Sequence, residues 1–269
     1  MKSHHVESIN AALNFAVADG GVGEWSNLNP QRTRQNLRTV DVEIRNGRNH
    51  PVQPTLENEG LMIAQHPVSG ADWTNNAWIE SVYLPSCNEL VKKLTGAKTC
   101  TSIFVPLQRR VDFDEHAGSI PAAQFVHLDN THASARLWAE PLAQALGESL
   151  ENAVIYNVWK STTPPPQDFP LAIADLRSIP EENHAEGSVV EELGDRTIVS
   201  PYIALLHSEL QTYYYFPDVA PDESLVFVGL HLDPSRKMGC AHSAFRHPAP
   251  GAVSVPRRSI ESRVLAFFD

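Results

Sequence analysis

The apolar run QFVHLDNTH, residues 124–132, carries two histidines and an aspartate. His127 and Asp129 stand two apart, so on an extended strand both side chains leave by one face while Val126 and Leu128 enter the other. An imidazole beside a carboxylate can act as a base with its orienting partner, or supply two ligands to one metal ion. The spacing alone leaves both open, and a surface strand with a local hydrogen bond as well. The same tripeptide recurs at His231-Leu232-Asp233, and His-x-Glu occurs at His5, His184 and His207.

A mononuclear non-haem iron site asks for two imidazoles and one carboxylate on one face of an octahedron, with the remaining positions open. In a jelly roll the His-x-Asp comes from an early strand and the second histidine from a late one. His127 and Asp129 lie far enough before His242 for several strands to intervene. His231 and Asp233 do not, and read as an exposed strand end. His247 is the alternative to His242, and His132 reads as a helix-start residue or as a partner behind a ligand.

Further on, RRSIESR places Arg257, Ser259, Glu261 and Arg263 on one face of a strand and turns Arg258 to the other. A guanidinium offers a bidentate fork to a carboxylate, and a neighbouring hydroxyl adds a third bond. Arg257 with Ser259 would suit an anion. Arg263, on the same face, is the second candidate, or a partner for Asp175; a surface salt bridge between Arg257 and Glu261 is the plainer reading.

The rest of the chain sets limits. Its 269 residues, 42% apolar, suffice for a large core, and its net charge of −11 with no basic run argues against a nucleic-acid partner. MKSHHVESIN lacks a signal-peptide pattern and no stretch approaches the roughly eighteen apolar residues of a membrane span, so a soluble, cytoplasmic protein is expected. Cys87, Cys100 and Cys240 are too few and too scattered for a disulfide framework or a thiolate zinc site. Nothing sets the oligomeric state; a homodimer stays open.

These side chains need a scaffold, and many short β-rich runs broken by twenty prolines supply one. VDVEIRNGRNHPVQPTL reads as strand, Asn-Gly turn and strand. AWIESVYLPSCNELVKKLTGA reads as a broken helix closed by Gly96, and HASARLWAEPLAQALGESL as a helix despite Pro141. TCTSIFVPLQRR, AVIYNVWKS, PLAIADLRS, TYYYFPD, ESLVFVGLHLD and RRSIESRVLAFF read as strands. TPPPQDFP reads as a rigid surface linker, and the acidic stretch from Glu181 to Arg196 as a solvated loop or a lid. Tyr213 to Phe216 reads as core, with alternate tyrosines reaching the interior as the other option; Asn157 and Trp159 alternate onto one face of their strand, where Trp159 reads as packing, with pocket lining the other option. Strands without a regular helix between each pair exclude a doubly wound sheet. The expected architecture is mainly β with flanking helices around a double-stranded β-helix (jelly-roll, cupin-like) core. It forms one domain over 1–269, with 1–95 packing on a core of 96–269.

VHLDNTHASAR, NVWKSTTPPPQDFPLAIADLRS, TYYYFPDVAPDESLVF, CAHSAF and RRSIESRVLAFF, in that order, resemble the CmcJ/AsaB-like hydroxylase/desaturase family. The likeness covers most of the chain from about residue 38. It departs at Lys160, where an arginine is common, and at Thr212-Tyr213, where Arg-Trp is frequent. Enzymes of that family are iron(II)/2-oxoglutarate oxygenases of specialised metabolism, so the resemblance implies Fe(II), 2-oxoglutarate and O2. It implies His127, Asp129 and His242 as metal ligands, and Arg257 with Ser259 as the co-substrate anchor. The expected activity is hydroxylation, desaturation or oxidative cyclisation of a small metabolite. A cupin-like metalloenzyme working without 2-oxoglutarate and a non-catalytic binding jelly roll are the alternatives.

Overall fold

A computed structural model describes residues 7–19, 21–112, 120–253 and 255–269. In its first part the chain forms β1 (Ser8–Ala16), β2 (Gly23–Trp25), β3 (Arg34–Gln35), β4 (Leu37–Asn46) and β5 (Leu61–Gln65). A helical segment follows: α1 (Asn76–Trp78), a π-helical turn and α2 (Leu84–Thr95). Next come β6 (Thr99–Arg110), β7 (Ile120–Pro121), β8 (His127–Leu128), α3 (His132–Leu146) and β9 (Val154–Ser161). The remainder is β10 (Leu171–Ala174), β11 (His184–Leu193), β12 (Arg196–Leu205), β13 (Tyr213–Tyr215), β14 (Glu223–His231), β15 (His242–Ala244) and β16 (Arg258–Phe267).

The strands make two sheets, one ordered β1-β4-β13-β10-β15-β8-β12-β11-β2-β3 and the other β5-β14-β9-β16-β6-β7. This is the jelly-roll architecture. The N-terminal strands are hydrogen-bonded into it, β4 beside β13 and β5 beside β14. Strand β16 is buried along nearly its whole length, because α2 covers one side and the opposite sheet the other. Tyr83, Cys87, Leu90 and Val91, spaced by four, three and one, give α2 and the turn before it their buried stripe. Gly96 ends the helix at φ 72°, a conformation cheap only for glycine.

Helix α3 opens with a reciprocal cap between Thr131 and Ser134 and buries Ala135, Ala139 and Ala143 against Ile155, Leu265 and Phe267. Four-residue spacing puts those alanines in one narrow stripe. Small side chains there let the helix lie close to the sheet, just after the turn that carries Asp129. His132 is the first residue of this helix, and its Nε2 reaches the carbonyl of His231 at 3.0 Å.

Four expectations need correction. The acidic stretch after Glu181 is not a loop: β11 and β12 pair over ten positions, from His184↔Leu205 to Leu193↔Arg196. The acids Glu186, Glu191 and Glu192 follow no period of two, and the outer half of the hairpin faces solvent, which disguises the strand pattern. TPPPQDFP is not a surface linker, since Gln167, Phe169 and Pro170 are buried and the Gln167 amide exchanges hydrogen bonds with the backbone of Val219 at 3.1 Å. No strand follows the Asn46-Gly47 turn directly; β4 pairs instead with β1, whose Ala- and Asn-rich SINAALNFA has little strand propensity of its own. His231 is not an exposed strand end: it is 5% exposed.

Candidate metal centre

Strands β8 and β15 are neighbours, and their register sets His127 opposite His242. Directly paired residues share a face, so both imidazoles enter the space between the sheets. Asp129 follows β8 by one residue and turns inward beside them. Ligand atoms of His127, Asp129 and His242 all lie within 4.8 Å of one another. The Nε2 atoms of His127 and His242 stand 3.8 and 4.0 Å from the Asp129 carboxylate. His127 Nδ1 faces the Phe125 carbonyl at 2.9 Å, which fixes the proton on that nitrogen and leaves Nε2 free to ligate.

The opposite sheet holds the carboxylate. Arg263 Nη2 donates to Asp129 Oδ1 at 2.6 Å, and Asn157 Nδ2 donates to Oδ2 at 2.8 Å. Asn157 reaches that far because Gly229 lies beside it at a bulge in β14; a Cβ there would sit 2.4 Å from Asn157 Oδ1. Burial alone would push the Asp129 carboxyl up, but Arg263 and the two imidazoles outweigh it and hold it well below the usual carboxylate range. Burial, reinforced by His242, lowers His127 to about 3. At neutral pH His127 is therefore a neutral imidazole beside an ionised carboxylate. That donor set is the one divalent iron prefers.

Arg257 stands just before β16 and is 1% exposed. Its Nη1 donates to Ser259 Oγ at 3.2 Å, whereas Nε and Nη2 are buried with no hydrogen-bond partner. Its guanidinium lies 5.6 Å from the centroid of the Trp159 ring. Burial, and then the neighbouring Arg109 charge, push its pKa down to about 10, so it is still cationic at neutral pH. A buried cation with two idle donors is costly unless an anion meets it. The same cleft is lined by His127, His242, Trp159, Arg109 and Glu261. The residues thus fit a metal ion and a bound carboxylate side by side.

The other candidates separate cleanly. Arg258 is exposed and pairs with Asp112 at 3.1 Å. Arg263 is committed to Asp129, and Asp175 to Arg177 at 2.8 Å. His247 lies apart from the cluster, its Nδ1 accepting from the Ala249 amide at 3.0 Å. Tyr213 and Tyr215 pack on the side of the sheet that carries β1, and Tyr214 packs in the main core. Trp159 lines the cleft, which makes it more than core packing. His5 lies outside the described residues. Lys160 turns away from the cleft and donates to the carbonyls of His66, Pro221 and Glu223 at 3.1, 2.7 and 2.9 Å.

Three contributors escape the sequence patterns. An asparagine amid the apolar AVIYNVWKS is the signal that would find Asn157, because a buried amide in such a strand needs a polar partner. Glu261 is 4.0 Å from His242 Nε2 and 3.5 Å from Arg263. Burial and then the Asp129 charge push its carboxyl above the usual range. Arg109, in the polar end QRR of β6, looks like a solvated strand end yet faces the cleft.

A family model described as an oxidoreductase/YMDC permease-like domain matches residues 16–267. The Fe(II)/2-oxoglutarate-dependent dioxygenase nvfI of Aspergillus novofumigatus is 30% identical over 199 residues, 72% of this chain and 69% of that protein. The hydroxylase/desaturase efuI of Hormonema carpetanum is 26% identical over 97% of this chain and 96% of its own length. Among solved structures, the iron and alpha-ketoglutarate-dependent endoperoxidase NvfI superposes with a TM-score of 0.79 at 23% identity, covering 97% of this chain and 98% of that one. That last likeness is one of fold.

Proposed function

The chain belongs to the oxidoreductase/YMDC permease-like domain family, and from that premise we propose that it is an iron(II)- and 2-oxoglutarate-dependent oxygenase acting on a small specialised metabolite. His127, Asp129 and His242 hold the iron. Arg257 and Ser259 hold the far carboxylate of 2-oxoglutarate. With O2, the bound iron and co-substrate supply an oxidant strong enough to take hydrogen from carbon, ending in hydroxylation, desaturation or ring closure.

The protein's own part is placement. Arg263 and Asn157 occupy the outer lone pairs of Asp129 and so keep the carboxylate aimed at the ion. The His127 contact with Phe125 does the same for an imidazole. Trp159 and Leu171 form the apolar part of the cleft wall, which limits water around the reacting carbon. Among the described residues no helix is long and apolar enough to cross a membrane; the reading places the enzyme in the cytoplasm, with a small molecule as its partner.

The observation that carries this reading is the buried, under-partnered guanidinium of Arg257 opening on the same cleft as the two imidazoles. A metalloenzyme that dispensed with a dicarboxylate would have no use for it. An anaerobic titration with Fe(II) and 2-oxoglutarate tests the point. The expected result is a weak visible charge-transfer band that needs both components and is lost in Arg257→Gln, with succinate formed once oxygen is admitted. Metal uptake without 2-oxoglutarate binding would overturn it in favour of a cupin-like enzyme.

A further inference from the structure

Arg109 enters the cleft from β6, beside His127, Arg257 and Glu261. Among the described residues its guanidinium has one hydrogen bond, Nη1 to the Pro121 carbonyl at 2.9 Å, and no ion pair. It lies 5.3 Å from the centroid of Trp25, whose ring meets that of His127 edge-on at 5.3 Å. Trp25 therefore props the cation at the His127 end of the cleft. Arg257, its neighbour in the cleft, lies over Trp159 and beside Ser259. Burial works against the Arg109 charge and lowers its pKa.

Three guanidiniums, Arg109, Arg257 and Arg263, stand around the centre with the carboxylates of Asp129 and Glu261, and Asp168 accepts from the backbone N–H of Arg257 at 2.9 Å. Arg263 is spent on Asp129, and Arg257 on the co-substrate in the reading above. Arg109 is left lining the cleft with no ion-pair partner among the described residues.

We infer that Arg109 is a substrate-anchoring residue, and that the substrate is a metabolite bearing a carboxylate that docks on this guanidinium at the His127 side of the cleft. The inference rests on the oxygenase reading above. Guanidinium presents two parallel N–H donors to a carboxylate, and the Trp25 ring packs against this one. Anchoring by charge at one end leaves the rest of the molecule to be shaped by the apolar cleft wall.

The other carboxylate that could meet Arg109 is the metal-proximal end of 2-oxoglutarate itself, and binding measurements separate the two. Protein loaded with Mn(II), which occupies the iron position without turnover, is titrated first with 2-oxoglutarate and then with cinnamate, a simple monocarboxylate. Wild type, Arg109→Gln, Arg109→Lys and Arg257→Gln are compared by calorimetry, with a thermal melt to confirm folding. Loss of one partner in a buried charge pair predicts roughly 30-fold weaker binding or more. Arg257→Gln should show that loss for 2-oxoglutarate, whereas Arg109→Gln should leave it nearly unchanged. Cinnamate binding to the ternary complex should fall by a similar factor in Arg109→Gln and recover in part in Arg109→Lys.

A 2-oxoglutarate affinity that collapses in Arg109→Gln assigns the residue to the co-substrate and overturns the inference. So does a wild type that binds cinnamate no better than Arg109→Gln. Failure of wild type to bind 2-oxoglutarate in the presence of Mn(II) is a different outcome: it removes the oxygenase reading, and the substrate anchor with it.

Discussion

The tripeptide His-Leu-Asp occurs twice in this chain, at 127–129 and at 231–233, and the two copies end in different chemistry. Both histidines are buried. In the first copy His127 Nδ1 meets the nearby Phe125 carbonyl, and Asp129 is drawn inward by Arg263 and Asn157 from the other sheet. In the second, His231 Nδ1 meets the Lys237 carbonyl at 2.6 Å, and Asp233 serves only a local turn at Ser235. Three residues fix which atoms are available. Partners distant in sequence decide whether an inward carboxylate can be sustained, because a buried charge without them costs more than it returns.

The sharpest way to break the comparison is to remove the ligands. His127→Ala and Asp129→Ala should each abolish stoichiometric Mn(II) uptake and succinate formation. The loss should exceed the roughly 100-fold upper range expected for partners one shell out. His231→Ala should keep full metal stoichiometry. Equilibrium dialysis reads all three, and metal loss in His231→Ala would refute the distinction.

Next in size comes the partner from the opposite sheet. Arg263→Gln leaves Asp129 buried with only an amide to hold it. Removing one member of a buried pair costs about 3–5 kcal/mol, and losing the aim of a ligating carboxylate costs about 10- to 100-fold in metal affinity. Urea unfolding of the metal-free protein and Mn(II) titration measure the two parts. If Arg263→Gln weakened 2-oxoglutarate binding and spared the metal, the residue would belong to the co-substrate instead.

Gly229→Ala tests the same support from behind. The new methyl meets Asn157 Oδ1 at 2.4 Å and must push the amide off Asp129. Overpacking of this kind costs about 1–3 kcal/mol. Metal affinity should drop by roughly tenfold, within the range for an outer partner. The double change Gly229→Ala with Asn157→Ala should bind Mn(II) no worse than Asn157→Ala alone, since both act through one contact.

What the sequence disclosed follows from these examples. The shared faces of His127 with Asp129 and of Arg257 with Ser259 could be read because strand alternation is a local property, whereas the choice of His242 over His247 and the anchor role of Arg257 came from the family resemblance. Arg258 and Arg263 fell on the expected faces by the same alternation. Asn157, Glu261 and Arg109 could not be assigned, because their roles depend on which strands become neighbours across the barrel. The β11–β12 hairpin was hidden by its acids, which suit a solvent-facing strand as readily as a loop. Gln167 illustrates the converse, a polar residue in a proline-rich stretch that is buried because a distant backbone amide and carbonyl pair with it.

Protonation offers a subtler comparison of the two copies. Burial holds the pKa of His127 and of His231 below the ordinary 6.5. Unfolded chains take up these protons near pH 6.5 while the folded protein does not. The associated stability is complete above that value and drains away as pH falls, for His127 down toward about 3. Each group steepens the acid-side loss by up to about 1.4 kcal/mol per pH unit. Without metal, His127→Gln and His231→Gln should each flatten the slope of unfolding free energy below pH 6.5 by about one proton. A slope unchanged in either variant would mean that imidazole titrates normally in the fold.

The smallest effect is expected at Asp233, and its smallness carries the comparison. Its Oδ1 accepts from the Ser235 amide at 2.9 Å and the Ser235 hydroxyl at 2.7 Å, both within the same turn. Those bonds hold its carboxyl below the usual range without any cation from another strand. Local bonds of this kind can be replaced by water when the side chain is cut back. Asp233→Ala should therefore leave Mn(II) affinity and succinate yield at wild-type levels and lower Tm only slightly. Set against Asp129→Ala, the identical substitution in the identical tripeptide, that result would locate the difference in Arg263 and Asn157. A parallel loss of metal binding at both positions would show that the tripeptide itself, and not its distant partners, makes the centre.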